Sequence, residues 1–484
     1  MALANLINSV VIWPQSLRIK ERKMSSFVLM AAASLMNSLP ATDDCAALAK
    51  DPAAALAYSS GLQGFVYGYP IVDMLKQKHN ETHRVAADQP IVAPVNTMVP
   101  YPHILTPETQ GQLRAPNADT LYVNAWLDLS KGPVLIETPE MNGRYYTLAF
   151  MDLFGRPFHL GTRTNQGRAT RYAIIGPSGG QVPDGYEAFP VPTDTAWMLG
   201  RILADGKADE QQAIAIARSF KMTGPASFSS AITDAAPMAP YASLDFFAQL
   251  NGAWKSLPLP AEETALMAVF DKAGFGPKAR FDAAKLSAGQ KLGLGCAIRM
   301  GPDILAAQGF KPTWMVNGWV RNDKVDRPGN DYLLRAEIAR GGYVNAQEES
   351  IYPAAVTDST GAMLNGAKRY RIRFAPGQTP PVNAFWSITA YDLKTAHLVP
   401  NPIRRYQFGD RTKGTKRDAD GGLTIYLSAK RPPQGKSNWL PTPYGAYHLV
   451  MRMYLPKPEA LDGRYAPPPI EPISAPTPVA ETKK

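Results

Sequence analysis

The clearest pattern in the chain is a strict alternation of apolar and polar positions over residues 121–129. The apolar positions are Leu121, Val123, Ala125, Leu127 and Leu129. Because successive side chains of a strand point to opposite faces, this spacing predicts a β-strand with one apolar face. The short polar residues Asn117 and Asp119 come just before it, and they can hydrogen-bond to the nearby backbone. A polar cluster at a strand entry is either a plain turn or the rim of a site.

Further short strands separated by glycine and proline are predicted after this one. They are residues 133–138, 144–151, 171–175 and 197–202. Asn142 and Gly143 stand between the first two, and an Asn-Gly pair is a strong hairpin signal. Closely spaced short strands of this kind indicate a β-sandwich.

Helical patterns occur before and after these strands. Residues 51–79 predict a helix, since Asp51 can cap it and Pro52 suits its first position, with a break or kink near Pro70. The other predicted helices are residues 208–220, 260–272 and 281–307. Strands then return at residues 369–374, 384–391, 423–427 and 447–454. The order β–α–β predicts a helical module between two β-domains.

Composition excludes general disorder, since 45% of the residues are hydrophobic and 19% are charged. The net charge is +10, and residues 404–417 contain six Lys or Arg residues against one Asp. A nucleic-acid binder would join such a stripe to a recognition motif, and none occurs. We therefore interpret residues 404–417 as a solvated basic face and expect no nucleic-acid partner.

The N-terminus has the layout of an export signal. Basic residues at 20–23 precede a largely apolar run of ten at 27–36, and small and turn residues follow up to Ala41. This predicts a signal peptide over residues 1–41 and a periplasmic or secreted protein. The apolar run is shorter than the roughly 20 residues that span a bilayer, so we expect no stable membrane span.

The chain has two cysteines, Cys45 and Cys296, whose spacing matches no metal or redox motif. They can form one disulfide in an oxidising compartment or remain two inert thiols, and the sequence leaves both open.

Motifs for several kinds of chemistry are absent from the sequence. There is no Walker loop. His79 and His83 have the spacing of two metal ligands on one helix face, but their charged surroundings favour two solvated histidines. His397 and His448 are the only histidines in the C-terminal β-region. We therefore predict no metal site and no cofactor.

Carboxylates near strand ends are the remaining candidates for catalysis. The predicted catalytic residues are Asp119, Arg144, Tyr146 and Asp152. The predicted substrate-binding residues are Asn117, Tyr122, Tyr145, Arg163 and Trp439. In this hypothesis Asp119 is a general acid or base, Arg144 holds an anionic group and a tyrosine orients the substrate. The alternatives are that Asp119 caps a turn, that the arginines bridge loops, and that Trp439 closes a sandwich core.

Two sets of motifs resemble known domains. Residues 116–122 (PNADTLY), 125–130 (AWLDLS), 144–146 (RYY) and 151–152 (MD) resemble the domain of unknown function DUF1254. Those that resemble DUF1214 are residues 383–392 (NAFWSITAYD), 405–406 (RY), 420–426 (DGGLTIY), 438–443 (NWLPTP) and 452–456 (RMYLP).

The resemblance implies a mainly β protein with helices: an N-terminal immunoglobulin-like β-sandwich, a helical insertion and a C-terminal β jelly-roll. The chain is then divided as follows: signal peptide 1–41, N-terminal helical segment 42–96, DUF1254-like sandwich 97–207, helical module 208–310, DUF1214-like jelly-roll 311–466, and proline-rich tail 467–484. Neither resemblance implies a chemistry, because both families are named for lacking a known function.

We therefore expect an exported protein that binds or converts a small organic substrate in a cleft between its two β-domains, by metal-independent hydrolysis if it is an enzyme. The rival hypothesis is a non-catalytic surface or interaction protein, or a glycan-binding protein. Whether the protein is an enzyme, and whether it forms a homo-oligomer, is left open by the sequence.

Overall fold

The structure is a computed structural model, and it describes residues 39, 43–87, 89, 91–111, 115–226, 228, 231–309 and 311–473. The predicted signal peptide (1–41) lies outside these residues apart from Leu39. The predicted proline-rich tail (467–484) lies outside them beyond residue 473.

Eight α-helices occur in the described residues. They are α1 (Pro52–Thr82), α2 (Thr162–Asn165), α3 (Glu210–Ser219), α4 (Asp245–Ala253), α5 (Thr264–Lys272), α6 (Ala288–Gln308), α7 (Tyr332–Gly341) and α8 (Pro458–Leu461). Short 3-10 helices are Asp43–Lys50, Pro240–Ala242, Trp254–Ser256, Ala261–Glu263 and Ala283–Lys285. None of these described helices combines the length and the apolar character that crossing a bilayer requires.

Twenty strands occur in the same residues. They are β1 (Val99–Pro100), β2 (Thr120–Asp128), β3 (Val134–Thr138), β4 (Tyr146–Asp152), β5 (Pro157–Gly161), β6 (Thr170–Ile175), β7 (Glu187–Pro190), β8 (Thr195–Leu203), β9 (Lys221–Thr223), β10 (Trp314–Val316), β11 (Trp319–Arg321), β12 (Ser350–Ile351), β13 (Ala354–Ala355), β14 (Arg369–Phe374), β15 (Val382–Asp392), β16 (Gln407–Gly409), β17 (Leu423–Ser428), β18 (Trp439–Pro441), β19 (Tyr447–Pro456) and β20 (Glu471–Ile473). The prediction of a mainly β chain with helices is confirmed.

The chain forms two compact units. The helical unit takes its described residues from 1–80, 236–310 and 330–340. The β unit takes its described residues from 81–235, 311–329 and 341–484 and contains both sandwiches.

The helical unit begins as its sequence predicts. The Oδ1 atom of Asp51 accepts hydrogen bonds from the backbone N–H groups of Ala53 and Ala54, which caps α1. Of the break or kink predicted near Pro70, the break does not occur, because α1 continues as one helix through this residue. A Cβ atom on Gly293 of α6 would lie 2.3 Å from the Ala54 carbonyl oxygen, so this glycine allows close packing of α1 and α6.

A disulfide links Cys45 in the 3-10 helix Asp43–Lys50 to Cys296 in α6. The two cysteines are 251 positions apart in sequence, and both lie in the helical unit. The choice between a disulfide and two free thiols, which the sequence left open, is thus a disulfide in this structure.

The first sandwich pairs a sheet of order β1-β2-β8-β4-β5 with a sheet of order β7-β6-β3-β9. Leu121, Val123 and Leu127 of β2 lie in the core between the sheets, as the alternation predicts. The opposite face of β2 is buried as well, because Trp126 stacks on Trp197 of β8 and donates a hydrogen bond to Glu81. Helix α3 packs on the same core.

The predicted hairpin at Asn142-Gly143 is wrong, although the turn is present. Both residues have positive φ angles, which Asn and Gly tolerate best. However, β3 pairs with β6 and β9, whereas β4 pairs with β5 and β8. The turn therefore carries the chain from one sheet of the sandwich to the other.

The second sandwich pairs a sheet of order β10-β11-β13-β19-β15-β16, in which β12 also joins β19, with a sheet of order β18-β17-β14-β20. Its core contains Tyr370, Ile372, Trp386 and Ile425, which are contributed by both sheets. The longest pairing joins β15 to β19, and the polar side chains of these two strands face the first sandwich.

Candidate functional site

Several predicted site residues meet where the first sandwich contacts the second within the β unit. Asp119 immediately precedes β2, and its side chain is completely buried. Its Oδ2 atom accepts a hydrogen bond from Ser387 Oγ of β15 at 2.6 Å, and its Oδ1 atom lies 2.7 Å from an Nη atom of Arg411. Its backbone N–H donates to the side chain of Asn117, which makes the Asx turn that the sequence suggests. Asp119 is thus both a turn residue and half of an ion pair between the two sandwiches.

The neighbouring polar residues join the same contact. Asn117 donates a hydrogen bond to the hydroxyl of Tyr454, and the hydroxyl of Tyr122 accepts one from the Asn117 backbone. Tyr145 donates to Glu349 at 2.6 Å, and Arg163 forms an ion pair with the same carboxylate at 3.0 Å. Burial raises the pKa of Glu349. The bonds of Asn117, Tyr145 and Arg163 join the first sandwich to the second, whereas the bond of Tyr122 stays within the first sandwich.

Arg144 lies close by, but its partner is on its own sandwich. Its guanidinium makes a bidentate pair with Asp209, at 2.5 Å and 2.9 Å, and also donates to the Leu203 carbonyl. The hydrogen bond from Arg144 lowers the pKa of Asp209. The pair fixes the loop between β8 and α3.

The structure places the other three predicted residues away from this contact. Tyr146 lies in the first core, with its hydroxyl accepting from Asn165. Asp152 accepts hydrogen bonds from Arg156 and two backbone N–H groups in a turn, and burial raises its pKa. Trp439 is buried, and its indole N–H donates to the Ser428 carbonyl.

A pocket of about 410 Å³ opens beside the Asp119–Arg411 pair, within the β unit. Its lining residues come from both sandwiches: Ile104, Leu105, Thr106, Ala118, Asp205, Gly206, Lys207, Glu210, Ile403, Arg404, Arg405, Tyr406, Gln407, Arg411, Thr412 and Lys413. Five of them are Lys or Arg and two are acidic, so the lining is basic. A cavity of this size suits a small organic molecule.

The cations of the pocket differ in their partners. Lys207 pairs with Glu210. Arg405 donates to the carbonyls of Lys436, Ser437 and Trp439, which leaves its charge without a carboxylate among the described residues. Arg404 and Lys413 are exposed and likewise form no ion pair with a described carboxylate.

Arg411 is the best-fixed cation of the pocket. Besides Asp119 it binds Asp205 at 2.8 Å, and its guanidinium carbon lies 4.3 Å from the centre of the Phe385 ring. The preceding residue, Asp410, lies 3.8 Å from Arg411, and burial raises the pKa of its carboxyl to about 6. A carboxyl with such a pKa can exchange a proton near neutral pH.

The two histidines with metal-ligand spacing make other bonds. A ring nitrogen of His79 contacts the Ala236 carbonyl, and one of His83 contacts the Thr82 hydroxyl. Across the part of the chain that the structure describes, no three His, Cys, Asp or Glu residues cluster in a way that could hold a metal ion.

Sequence reasoning missed the residues that line the pocket. Arg404, Arg405, Arg411 and Lys413 belong to the segment for which the sequence predicts a solvated basic face, and no sequence pattern points to Asp205. The signal was the dense basic segment 404–417, but nothing in the sequence shows that it faces Asp119.

Each of the two sandwiches matches a known protein family. Residues 95–224 match the model described as "Protein of unknown function (DUF1254)", and residues 349–458 match "Protein of unknown function (DUF1214)". The chain carries a DUF1254 domain and a DUF1214 domain. The resemblance stated from the sequence motifs is therefore confirmed, and the pocket lies between these two domains.

A solved structure shares the fold. The VPA0106 protein from Vibrio parahaemolyticus aligns over 86% of this chain and 100% of its own, with 21% identity and a TM-score of 0.63. An uncharacterized protein from Burkholderia cenocepacia aligns over 89% of this chain and 95% of its own, with 14% identity and a TM-score of 0.41. No curated protein matches the chain.

Proposed function

We propose that the pocket between the DUF1254 and DUF1214 domains binds a small organic anion. The observation that carries this proposal is the lining itself, in which Arg404, Arg405 and Lys413 form no salt bridge with a carboxylate among the described residues. Cationic groups gathered in a concave surface attract an anion and raise its local concentration. The apolar residues Ile104 and Leu105 lie on the same pocket and can contact the organic part of the ligand.

Metal-independent hydrolysis is the second candidate function, and Asp410 is the observation that favours it. Its carboxyl has a pKa raised to about 6 by burial and lies 3.8 Å from Arg411, a lining residue, although Asp410 itself does not line the pocket. General-base catalysis works best with a pKa near the working pH. Asp119, which the sequence suggests as the acid or base, is held by Ser387 and Arg411, so its role in this proposal is to position Arg411.

Binding can be measured by isothermal titration calorimetry on the full chain with octanoate, octyl phosphate and maltotriose as probes. We expect Lys413→Ala and Arg404→Ala each to weaken binding of an anionic probe about 3- to 10-fold, as for the loss of one charged contact. Lys430→Ala, which removes an exposed charge outside the pocket, should leave the affinity within about 2-fold.

Two outcomes would contradict the proposal. Equal losses in all three variants would mean non-specific attraction, and binding of maltotriose alone would favour the glycan-binding hypothesis. The same samples can be assayed with p-nitrophenyl octanoate, and a turnover that Asp410→Asn abolishes would support hydrolysis. Absence of turnover in the unmodified chain would remove hydrolysis and leave binding.

We also propose export to the periplasm or beyond. It is supported by the basic and apolar segments of residues 1–41 and by the Cys45–Cys296 disulfide, since disulfides persist in oxidising compartments. Mass spectrometry of protein from the native host should find a mature N-terminus near residue 42 and the Cys45–Cys296 peptide pair. An N-terminus at Met1 with both cysteines reduced would contradict export.

A further inference from the structure

We propose that Asp205 occupies, on Arg411, the position that the ligand's own carboxylate takes. This inference rests on the proposed function and narrows it: the ligand is a carboxylic acid with an apolar body. Asp205 then acts as an internal competitor that sets the affinity of the pocket.

Arg411 has the geometry of a fixed receptor for a carboxylate. One edge of its guanidinium binds the buried Asp119, which is itself held by Ser387, and Phe385 packs against the guanidinium. The guanidinium is thus oriented by groups that cannot leave the protein interior. Its Nη1 atom points instead to Asp205, on the pocket wall.

Asp205 differs from Asp119 because its side chain can move away from Arg411. The Asp205 side chain is 47% exposed, whereas that of Asp119 is 0% exposed. Asp205 lies in the loop between β8 and α3, next to Gly206 with its positive φ angle, and this loop is anchored separately by the Arg144–Asp209 pair. Because nearly half of the Asp205 side chain is exposed, its carboxylate can turn into solvent, where water replaces its bond to Arg411.

Charge and shape both favour a carboxylate as the incoming group. Exchange of one carboxylate for another leaves the charge around Arg411 unchanged, and the planar guanidinium matches carboxylate geometry. An apolar lining of Ile104, Leu105, Ala118 and Ile403 stands in the same pocket as Arg411. The combination fits a molecule with one anionic head group and a hydrocarbon or aromatic body.

The test compares octanoate affinity in the full chain, in Asp205→Asn and in the matched control Asp184→Asn. Asp184 is exposed and outside the pocket lining, so its substitution changes the net charge equally without changing Arg411. We expect Asp205→Asn to tighten octanoate binding about 5- to 10-fold, as for removal of one competing charged contact. Asp184→Asn should change it less than about 2-fold. 1-Octanol and octyl phosphate serve as neutral and phosphate probes.

The inference is wrong if octanoate binds and Lys413→Ala weakens this binding, but Asp205→Asn changes the octanoate affinity no more than Asp184→Asn does. The proposed function survives that result. Tighter binding of octyl phosphate than of octanoate to Asp205→Asn would also overturn the carboxylate assignment. Failure of every anionic probe to respond to Lys413→Ala would contradict the proposed function itself. Thermal unfolding of each variant confirms that the affinities are compared between folded proteins.

Discussion

Asp119→Ala should lower the free energy of unfolding by about 3–5 kcal/mol, which is the range for removal of one partner of a buried ion pair. The physical reason is that the half-buried Arg411, which packs against Phe385, would keep its charge and lose its completely buried carboxylate. Ser387 would also lose the acceptor of its hydroxyl. Urea denaturation followed by circular dichroism measures the change.

The same guanidinium provides the control. Asp205→Ala removes the other carboxylate of Arg411, but that side chain is largely exposed, so we expect a loss of only about 0–1 kcal/mol. The double variant Asp119→Ala/Arg411→Met should recover part of the loss, since both charges then leave the interior. Losses of similar size in Asp119→Ala and Asp205→Ala would show that burial of the Asp119 pair does not control stability.

This expected difference separates two roles that a sequence motif cannot separate. From the sequence, the polar cluster at Asn117 and Asp119 is either a turn or the rim of a site. The structure gives Asp119 a turn bond, an ion pair and a place next to the pocket at once. If Asp119→Ala weakens ligand binding, we therefore attribute the loss to Arg411, which Asp119 no longer orients. The Asp205 variants test separately whether the ligand contacts Arg411 directly.

Local sequence patterns predicted helices and strands correctly where neighbouring residues alone determine the backbone conformation. The alternation at residues 121–129 gave β2, and the Asp51-Pro52 pair gave the start of α1. They failed where the answer lies in a distant segment. Asn142-Gly143 has the backbone of a hairpin turn, but the choice of partner for β3 and β4 depends on β6 and β8.

The candidate site shows the same division. Asp119 and Arg411 are 292 positions apart in sequence, and Tyr145 and Glu349 are 204 apart. The periodicity of the sequence cannot predict contacts between residues so far apart. The basic segment 404–417 was visible, yet its interpretation as a solvated face was the natural one, because a charge run reveals its neighbours only after folding.

The contact between the DUF1254 and DUF1214 domains is polar as well as buried, which bears on how the pocket is held open. Arg452, fully buried on β19, donates to the Thr389 hydroxyl, the Tyr391 hydroxyl and the Ala115 carbonyl. Bonds of this kind require one exact placement of the two domains, since a shifted arrangement would leave buried donors without acceptors. The pocket beside them is therefore built on a rigid contact.

His159 gives the second large effect, on the pH dependence of stability. The ring is buried, its Nε2 atom accepts a hydrogen bond from the Ala346 backbone N–H, and its Nδ1 atom contacts the Thr147 hydroxyl. These bonds need a neutral ring with its proton on Nδ1. Burial, together with the nearby charges of Arg201 and Arg163, lowers the pKa of His159 to about 3.

The sign of the effect follows from where the proton binds. In the unfolded chain a histidine takes up a proton below about pH 6.5, whereas in the folded protein His159 stays neutral until about pH 3. The unfolded state then binds more protons, so stability is full above pH 6.5 and falls as the pH is lowered. Between pH 7 and pH 4.5 this group should cost about 2–3 kcal/mol of unfolding free energy.

The measurement is the difference between the full chain and His159→Gln in urea denaturation at pH 7.0, 6.0, 5.0 and 4.5. Gln retains a donor and an acceptor but does not titrate. At pH 7 the variant should therefore be less stable than the unmodified chain. As the pH falls below 6, its free energy of unfolding should decrease less than that of the unmodified chain. Subtraction removes the opposite contributions of Glu349 and Asp410, whose pKa values are raised by burial. Parallel curves for the full chain and His159→Gln would mean that His159 gains its proton as easily in the folded protein as in the unfolded chain.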